Sequence, residues 1–533
     1  MLKRSSLATW GAAVLLLSSL SSCEDILEQY FPKPTPPPTI PTFPPLGQDI
    51  SFYALSGGTK LDAYSTKDAA TRLSSVSITG LGSGETLLAI DFRPATGQLY
   101  GVSSGSRLYV INQNTGAARA IGSGAFTPAL GGNLVGFDFN PTVDRIRLVT
   151  STGQNLRVNP ETGTVVATDG AVNGVAGATL TGVAYTNNTA GATTTALYAI
   201  NTQNQQLYLI NPPNDGTVVQ VGNLNVPVSG NGGFDIDATT GTALGLYPVN
   251  GNPTLFTVDL TTGAARPLAQ YAASTAYAGL AIPTQPVAYA TTANSLYIFN
   301  IATPAVGVTK PITGLAPGES VAGIDFRPAN GQLYAIARTA DFNNVTLYTI
   351  NAATAAATRV GPLTGPTELL IAGPGFDFDP VADRIRIISG QRNVSINPVD
   401  ATFIEDGLLH LNGQRSTGLD AGIASVAYDN NYAGATTATL YAIFSRKGDF
   451  AIITQPAEGI YSFRNLTFAL DLQYNTGFDI GGMSNTGYAI LTNALQQFDP
   501  GRYFYTIDLA SASATKKEVF PFDATGFTVG LGF

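Results

Sequence analysis

The chain carries nearly the same text twice. Residues 89–160 contain AIDFRPATGQLYGV, VGFDFNPTVDRIRLV and NLRVNP; residues 323–398 contain GIDFRPANGQLYAI, GFDFDPVADRIRII and NVSINP. AYTNNTAGATTTALYAI (184–200) returns as AYDNNYAGATTATLYAI (427–443). The offset drifts only from 234 residues at Asp91/Asp325 to 243 at Tyr185/Tyr428. A duplication this regular restricts the fold to two copies of one unit, each of ordinary domain size.

A shorter period lies inside each copy. Residues 88–122 read as four short strands, LAIDFR, QLYGVS, RLYVIN and AARAIG. Residues 135–170, 182–222 and 233–269 each repeat this pattern, with β-branched and aromatic runs between Gly, Asn, Asp and Pro. No segment keeps a helical period. Four antiparallel strands repeated around an axis make a propeller blade. The fifth unit is split. Residues 50–80 supply only three strands, and the missing innermost strand is YAGLAI (277–282); the second copy opens with PVAYAT (286–291) and ends with FTVGLGF (527–533). A last strand that completes the first blade removes the exposed sheet edge. The expected fold is all-β: two tandem five-bladed β-propellers at 48–283 and 284–533. The alternative is one ten-bladed ring, in which YAGLAI joins the blade at Pro286.

The first residues predict export. Lys3 and Arg4 precede an apolar run from Leu7 to Leu20, too short to span a bilayer. Leu20-Ser21-Ser22-Cys23 resembles the lipobox of bacterial lipoproteins, which implies a signal peptide at 1–22 and a Cys23 carrying diacylglycerol and a palmitate-type acyl chain. Several chains at about 0.8 kcal/mol per buried CH₂ anchor stably. Glu24, Asp25 and Glu28 resemble the surface-export signals of Bacteroidota lipoproteins. The expected location is the outer membrane, at the cell surface or the periplasmic face. Residues 23–47 contain PKPTPPPTIPTFPP, an extended stalk.

Composition removes several chemistries. Losing Lys3 and Arg4 takes the formal charge from −9 to −11, and no basic run offers a nucleic-acid surface. Cys23 is the sole cysteine, so disulfides and thiol nucleophiles are excluded from the mature domains. The single histidine, His410, cannot build a His-rich zinc site in each copy, and EDGLLHLNGQ has no nucleophile elbow.

IDFRPATGQLYGV, GFDFNPTVDRIRLV and YTNNTAGATT resemble domain-of-unknown-function family 4394, with about one domain per copy over nearly all of residues 49–533. The resemblance implies an exported β-propeller-like protein and brings no catalytic residues with it.

Three motifs are candidate sites. In GFDFNPTVDRIRL, Phe137 and Phe139 share one strand face and Asp138 takes the other. A hairpin centred on Pro141-Thr142 would set Asp138 across from Arg145, and Asp377 across from Arg384, as ties worth about 0.2–1 kcal/mol. Read as metal ligands instead, Asp377, Asp379 and Asp383 (Asp138, Asn140 and Asp144 in the first copy) offer hard oxygens to Ca²⁺, without an EF-hand's glycine and terminal glutamate. Arg93 and Arg327, in FRPAxGQLY, either clamp a neighbouring blade or recognise a carboxylate or glycan. Asn187, Asn188, Asn430 and Asn431 lie in long A–B connections and either close the loop or bind sugar hydroxyls.

These shared motifs are A–B connections on one face of the ring. The B–C connections, on the other face, differ: Ser103–Ser106 against 338–344, and Pro248–Gly251 against 492–498. The expected function is a lipid-anchored, non-enzymatic binding or scaffold module that meets an envelope protein or glycan. The alternative is a carboxylate-based hydrolase or lyase on glycans or lactones, with or without Ca²⁺. Axial carboxylates clustered without arginine partners would favour the enzyme; carboxylates each tied to an arginine would favour the binder.

Overall fold

Ten four-stranded antiparallel sheets succeed one another along the chain in the computed structural model, one of them with an added fifth strand. The structure describes residues 42–342, 344–363, 374–412, 422–444, 449–464, 477–493 and 501–533. Among these the only helical turns are the 3₁₀ segments Thr66–Asp68 and Pro213–Asp215, so no helix is long and apolar enough to cross a membrane. Cys23 and the leader lie outside the described residues. So do 494–498 of the 492–498 loop, and Asn343. The fifth strand is His410–Leu411, running parallel to Ile460–Arg464; His410 is half-buried there and its amide donates to the Gly459 carbonyl.

The strand order follows the sequence pattern. Leu87–Phe92, Leu99–Ser103, Leu108–Ile111 and Ala118–Ile121 form one sheet in chain order, and the next three units repeat it. The ends of the two copies decide the closure. Tyr277–Ala281 pairs with Ser51–Ser56, setting Leu280 against Ala54. Gly526–Val529 pairs with Val287–Thr292, setting Thr528 against Tyr289. Each copy therefore supplies the inner strand of its own opening sheet. The inner strands of each copy also contact one another in cyclic order, from Leu87–Phe92 round to Tyr277–Ala281 and back, and from Glu319–Arg327 round to Gly526–Val529 and back. The result is two closed rings of five sheets, not one circle of ten, and neither ring presents an inner edge.

Apolar faces between neighbouring sheets hold each ring. Phe137 and Phe139 lie on one face of their strand and pack with Tyr100, Val102 and Leu148; the Phe139 and Tyr100 rings meet edge to face, 5.3 Å apart. Burying such side chains contributes about 1.5–3 kcal/mol each. The glycine of GFDF lets inner strands approach: a Cβ at Gly136 would stand 2.8 Å from the Val183 amide nitrogen of the next inner strand.

Both rings belong to one compact unit, Phe43–Phe533, and they meet through A–B and C–D turns and the residues after Val529. Tyr289 Oη donates to the Ala95 carbonyl at 2.9 Å, and the Gly532 amide to the Thr96 carbonyl at 2.8 Å. Asn330 Nδ2 reaches the Glu161 carbonyl at 3.2 Å, and Asn351 Nδ2 the Val143 carbonyl at 3.3 Å. The docking is partly reciprocal. Ala190 of the first AGATT loop packs on the second ring's core beside Tyr289 and Ile298; Ala433 of the second AGATT loop packs on the first ring's core beside Val110. Gly532 is a steric probe of this seam, since a Cβ there would run into the Gly97 carbonyl of the other ring. Gly532→Ala is expected to cost about 1–3 kcal/mol, whereas Gly124→Ala, with open space around it, leaves the thermal midpoint unchanged; equal midpoints for the two variants would refute the tight seam.

Candidate functional site

The inner strands share a second pattern: AIDF, GFDF and GFDI in the first copy, and GIDF, GFDF and GFDI in the second. Strand alternation sends the flanking Ile and Phe between the sheets and turns each Asp to the opposite face. Asp91, Asp138 and Asp235 converge there, as do Asp325, Asp377 and Asp479. In each trio one carboxylate oxygen per residue lies within 4.8 Å of the others, and all six residues are about 1 % exposed.

Five of the six accept from the next inner strand. Asp91 accepts from the Phe92 amide (2.7 Å) and from Phe139 on the neighbouring strand (3.0 Å). Asp235 does the same with Ile236 and Ile282, and Asp325 with Phe326 and Phe378. Asp377 accepts from Tyr428, and Asp479 from Ile480 and Val529. Asp138 differs. The Tyr185 and Phe139 amides act on its charge, but neither of its carboxylate oxygens has a hydrogen-bond partner.

The remaining two inner strands complete each axis. Ala184 and Ala281 occupy the equivalent positions in the first ring, Ala427 and Thr528 in the second; the amides following Ala281 and Thr528 bond Asp235 and Asp479 alike. Thr528 Oγ1 lies 2.8 Å from Asp325 and 2.9 Å from Asp479. Ala281 offers no such hydroxyl. Among the described residues no ion pair reaches any of the six carboxylates. Burial, then mutual repulsion, pushes Asp91, Asp138, Asp325 and Asp377 well above the ordinary range. Burial raises Asp235 to about 7 and Asp479 to about 6.

The sequence-predicted residues are distributed differently. Asp138 stands opposite Arg147, not Arg145, and Asp377 opposite Arg386, not Arg384. The turn has four residues, Pro141 to Asp144, with Asp144 left-handed at φ 52°, so Asn140 faces Arg145 and Asp379 faces Arg384. Nor does the opposite arginine tie to the aspartate. Arg147 bonds Asp169, Asn155 and Asn214; Arg386 bonds Asn393 and Asp406. The set Asp377, Asp379 and Asp383 does not converge. Asp379 caps its own turn through the Val381 and Ala382 amides, and Asp383 pairs with Arg327. Arg145 and Arg384 bond the Asp144 and Ser395 carbonyls. Arg93 is fully buried and holds Asp144, Glu161 and the Gly331 carbonyl of the other ring. Asn187 and Asn430 are left-handed at φ 53° and close their loops onto the Thr194 and Thr437 carbonyls. Asn188 and Asn431 are buried, away from any sugar. Asp91, Asp235, Asp325 and Asp479 were missed; the recurring Asp between two apolar residues of each inner strand was their signal.

Residues 60–281 and 295–528 match the family described as Domain of unknown function (DUF4394). The chain belongs to the DUF4394 family. It carries two tandem copies of the domain. No curated protein matches it. A crystal structure of a protein from Lactobacillus plantarum is similar at 14 % identity over 63 % of this chain and 95 % of that one, with a TM-score of 0.27.

Three concavities of this DUF4394 chain lie away from the axial carboxylates. A cavity of about 240 Å³ at the ring seam is lined by Val110, Asn112, Arg119, Tyr432, Met483 and Leu531. A groove of about 500 Å³ crosses the seam past Arg145, Glu161 and Asn351, and another of about 530 Å³ runs past Asp429, Arg464 and Asp508. None of the three is lined by an axial aspartate.

Proposed function

We propose that this chain is a lipid-anchored, non-enzymatic scaffold of the cell envelope that presents the outward faces of two rigid rings to envelope proteins or glycans. One observation carries the reading: the A–B turns that the copies share are engaged at the seam, with each other at Arg93 and Gly331 and elsewhere with the C–D turns and the residues after Val529. The faces left free are those of the B–C connections, where the copies differ, so the two rings offer different surfaces. The axial trios are spaced closely enough for two-carboxylate hydrolysis and lack arginine partners, as a hydrolase would require. At about 1 % exposure, however, they are out of reach of a glycan or lactone, which favours the scaffold.

The test is capture from envelope extract, with a glycan array alongside, using the intact chain and a variant whose Ser103–Ser106 loop is exchanged for residues 338–344. The exchange is expected to change the captured set; an identical set, or no saturable partner of either kind, counts against the scaffold. The anchor has its own outcome. Cys23→Ala is expected to abolish palmitate labelling and move the chain from the membrane to the soluble fraction, and a membrane-bound, labelled variant would remove the anchor from the reading.

A further inference from the structure

The two axes solve the same electrostatic problem differently. In the second ring the Thr528 hydroxyl sits between Asp325 and Asp479. The first ring has Ala281 in place of that hydroxyl, and Asp138 is about 1 % exposed with both carboxylate oxygens unpartnered. A buried carboxylate without hydrogen bonds or counter-charge is costly. Its oxygen is nonetheless aimed at those of Asp91 and Asp235, all three within 4.8 Å of one another.

We infer that the axis of the first ring binds one divalent cation of the Ca²⁺ class, held by Asp91, Asp138 and Asp235. Three oxygens no more than 4.8 Å apart leave a point about 2.8 Å or less from each, so a contraction of a few tenths of an ångström reaches the roughly 2.3–2.6 Å of Ca²⁺–oxygen bonds. Mg²⁺, at roughly 2.0–2.1 Å and with a strict octahedron, needs a larger contraction. The donors are all hard oxygens, which disfavours thiophilic and imidazole-seeking metals. Second carboxylate oxygens and water fill the remaining positions. The ion would tie three of the five inner strands together at the centre of the ring. It is a structural ion, because its three ligands are about 1 % exposed and out of a substrate's reach. In the second ring the Thr528 hydroxyl takes its place.

The experiment uses the full chain, stripped with chelator, dialysed and titrated calorimetrically with Ca²⁺, and separately with Mg²⁺ and Mn²⁺. Bound metal is counted by mass spectrometry. One Ca²⁺ per chain is expected, bound more tightly than Mg²⁺. Asp138→Asn is expected to weaken binding about tenfold or more by removing a charged ligand. The equivalent change in the other ring, Asp377→Asn, leaves one site with its affinity within about twofold, since its trio holds no ion. Ala281→Thr copies the second ring's hydroxyl into the first and is expected to weaken binding as Asp138→Asn does. If Asp138→Asn fails to fold, Ala281→Thr decides, because the second ring already accommodates threonine there. The inference is overturned by the absence of saturable binding of any of the three ions, by binding that survives Ala281→Thr unchanged, or by a site lost in Asp377→Asn.

Discussion

Arg93→Ala lowers the stability of the folded chain by about 3–5 kcal/mol, while Arg327→Ala costs about 1 kcal/mol or less. The two arginines hold the same place in FRPAxGQLY, so the sequence alone gives no reason to separate them. Their surroundings do. Arg93 Nε lies 2.8 Å from Asp144 and Nη2 2.5 Å from Glu161, with a second Nη2 bond to Asp144. Nη1 donates to the Gly331 carbonyl at 2.9 Å, so one guanidinium ties two carboxylates of its own ring to the backbone of the other. Burial opposes its charge, yet Asp144 and Glu161 together push its pKa well up. Removing it strands Asp144 and leaves Glu161 only the more distant Arg145 guanidinium at 4.0 Å, with the two carboxylate side chains about 2 % and 5 % exposed, in a medium that penalises unpaired charge. Arg327 pairs with Asp383, whose side chain is 41 % exposed and can return to water. Chemical denaturation of both variants checks the difference, and Arg93→Lys should recover little, because an ammonium cannot reproduce the planar fork. Equal losses at the two positions would show that the burial difference has no energetic consequence.

The second large effect is a loss of stability as pH rises. Unfolded aspartate titrates near about 3.9, but burial raises Asp479 to about 6 and pushes Asp325 and Asp377 well above the ordinary range. Between these values the folded chain holds protons that the unfolded chain has released. This contribution is complete below about pH 4 and is lost as pH climbs through about 6 and beyond. For Asp479 alone the change amounts to roughly 3 kcal/mol. With chelator present, the first-ring trio acts in the same sense through Asp235, raised to about 7. Other groups set the acid limb. Arg157 and Arg147 hold Asp169 low against the effect of burial, and backbone amides lower Asp259, Asp400 and Asp508; their stabilisation fails as pH falls through their folded values. Urea midpoints in chelator at constant ionic strength should therefore be higher at pH 5 than at pH 8, and Asp479→Asn should flatten the slope. A midpoint that rises between pH 5 and 8 would contradict the protonated axis.

Much of the architecture was readable because it is local and repeated. Hydrophobic runs of strand length between turn residues mark the sheets, and YAGLAI and FTVGLGF, without partners of their own, point to the closing strands. The errors arose where one residue of loop length or one distant neighbour decides the geometry. Counting Pro141-Thr142 as the whole hairpin loop shifts the register by two, because Asp144 adopts a left-handed conformation that an aspartate tolerates and a sequence pattern does not announce. The oxygen ligands suggested by GFDFDPVADR all lie within one hairpin. The carboxylates that do meet come from three different sheets, and only the ring brings Asp91, Asp138 and Asp235 together. The seam was likewise invisible. Asn188 and Asn431 look like polar loop residues, and the docking of one copy on the other is a long-range event that leaves no periodicity.

The reciprocal seating of Ala190 and Ala433 bears on how such a chain holds together. A polypeptide with a single copy would leave this surface bare and would have to find a second molecule by diffusion. Joining the copies end to end makes the encounter intramolecular, at an effective concentration on the order of millimolar, so the pairing of the halves survives dilution that would separate two free subunits.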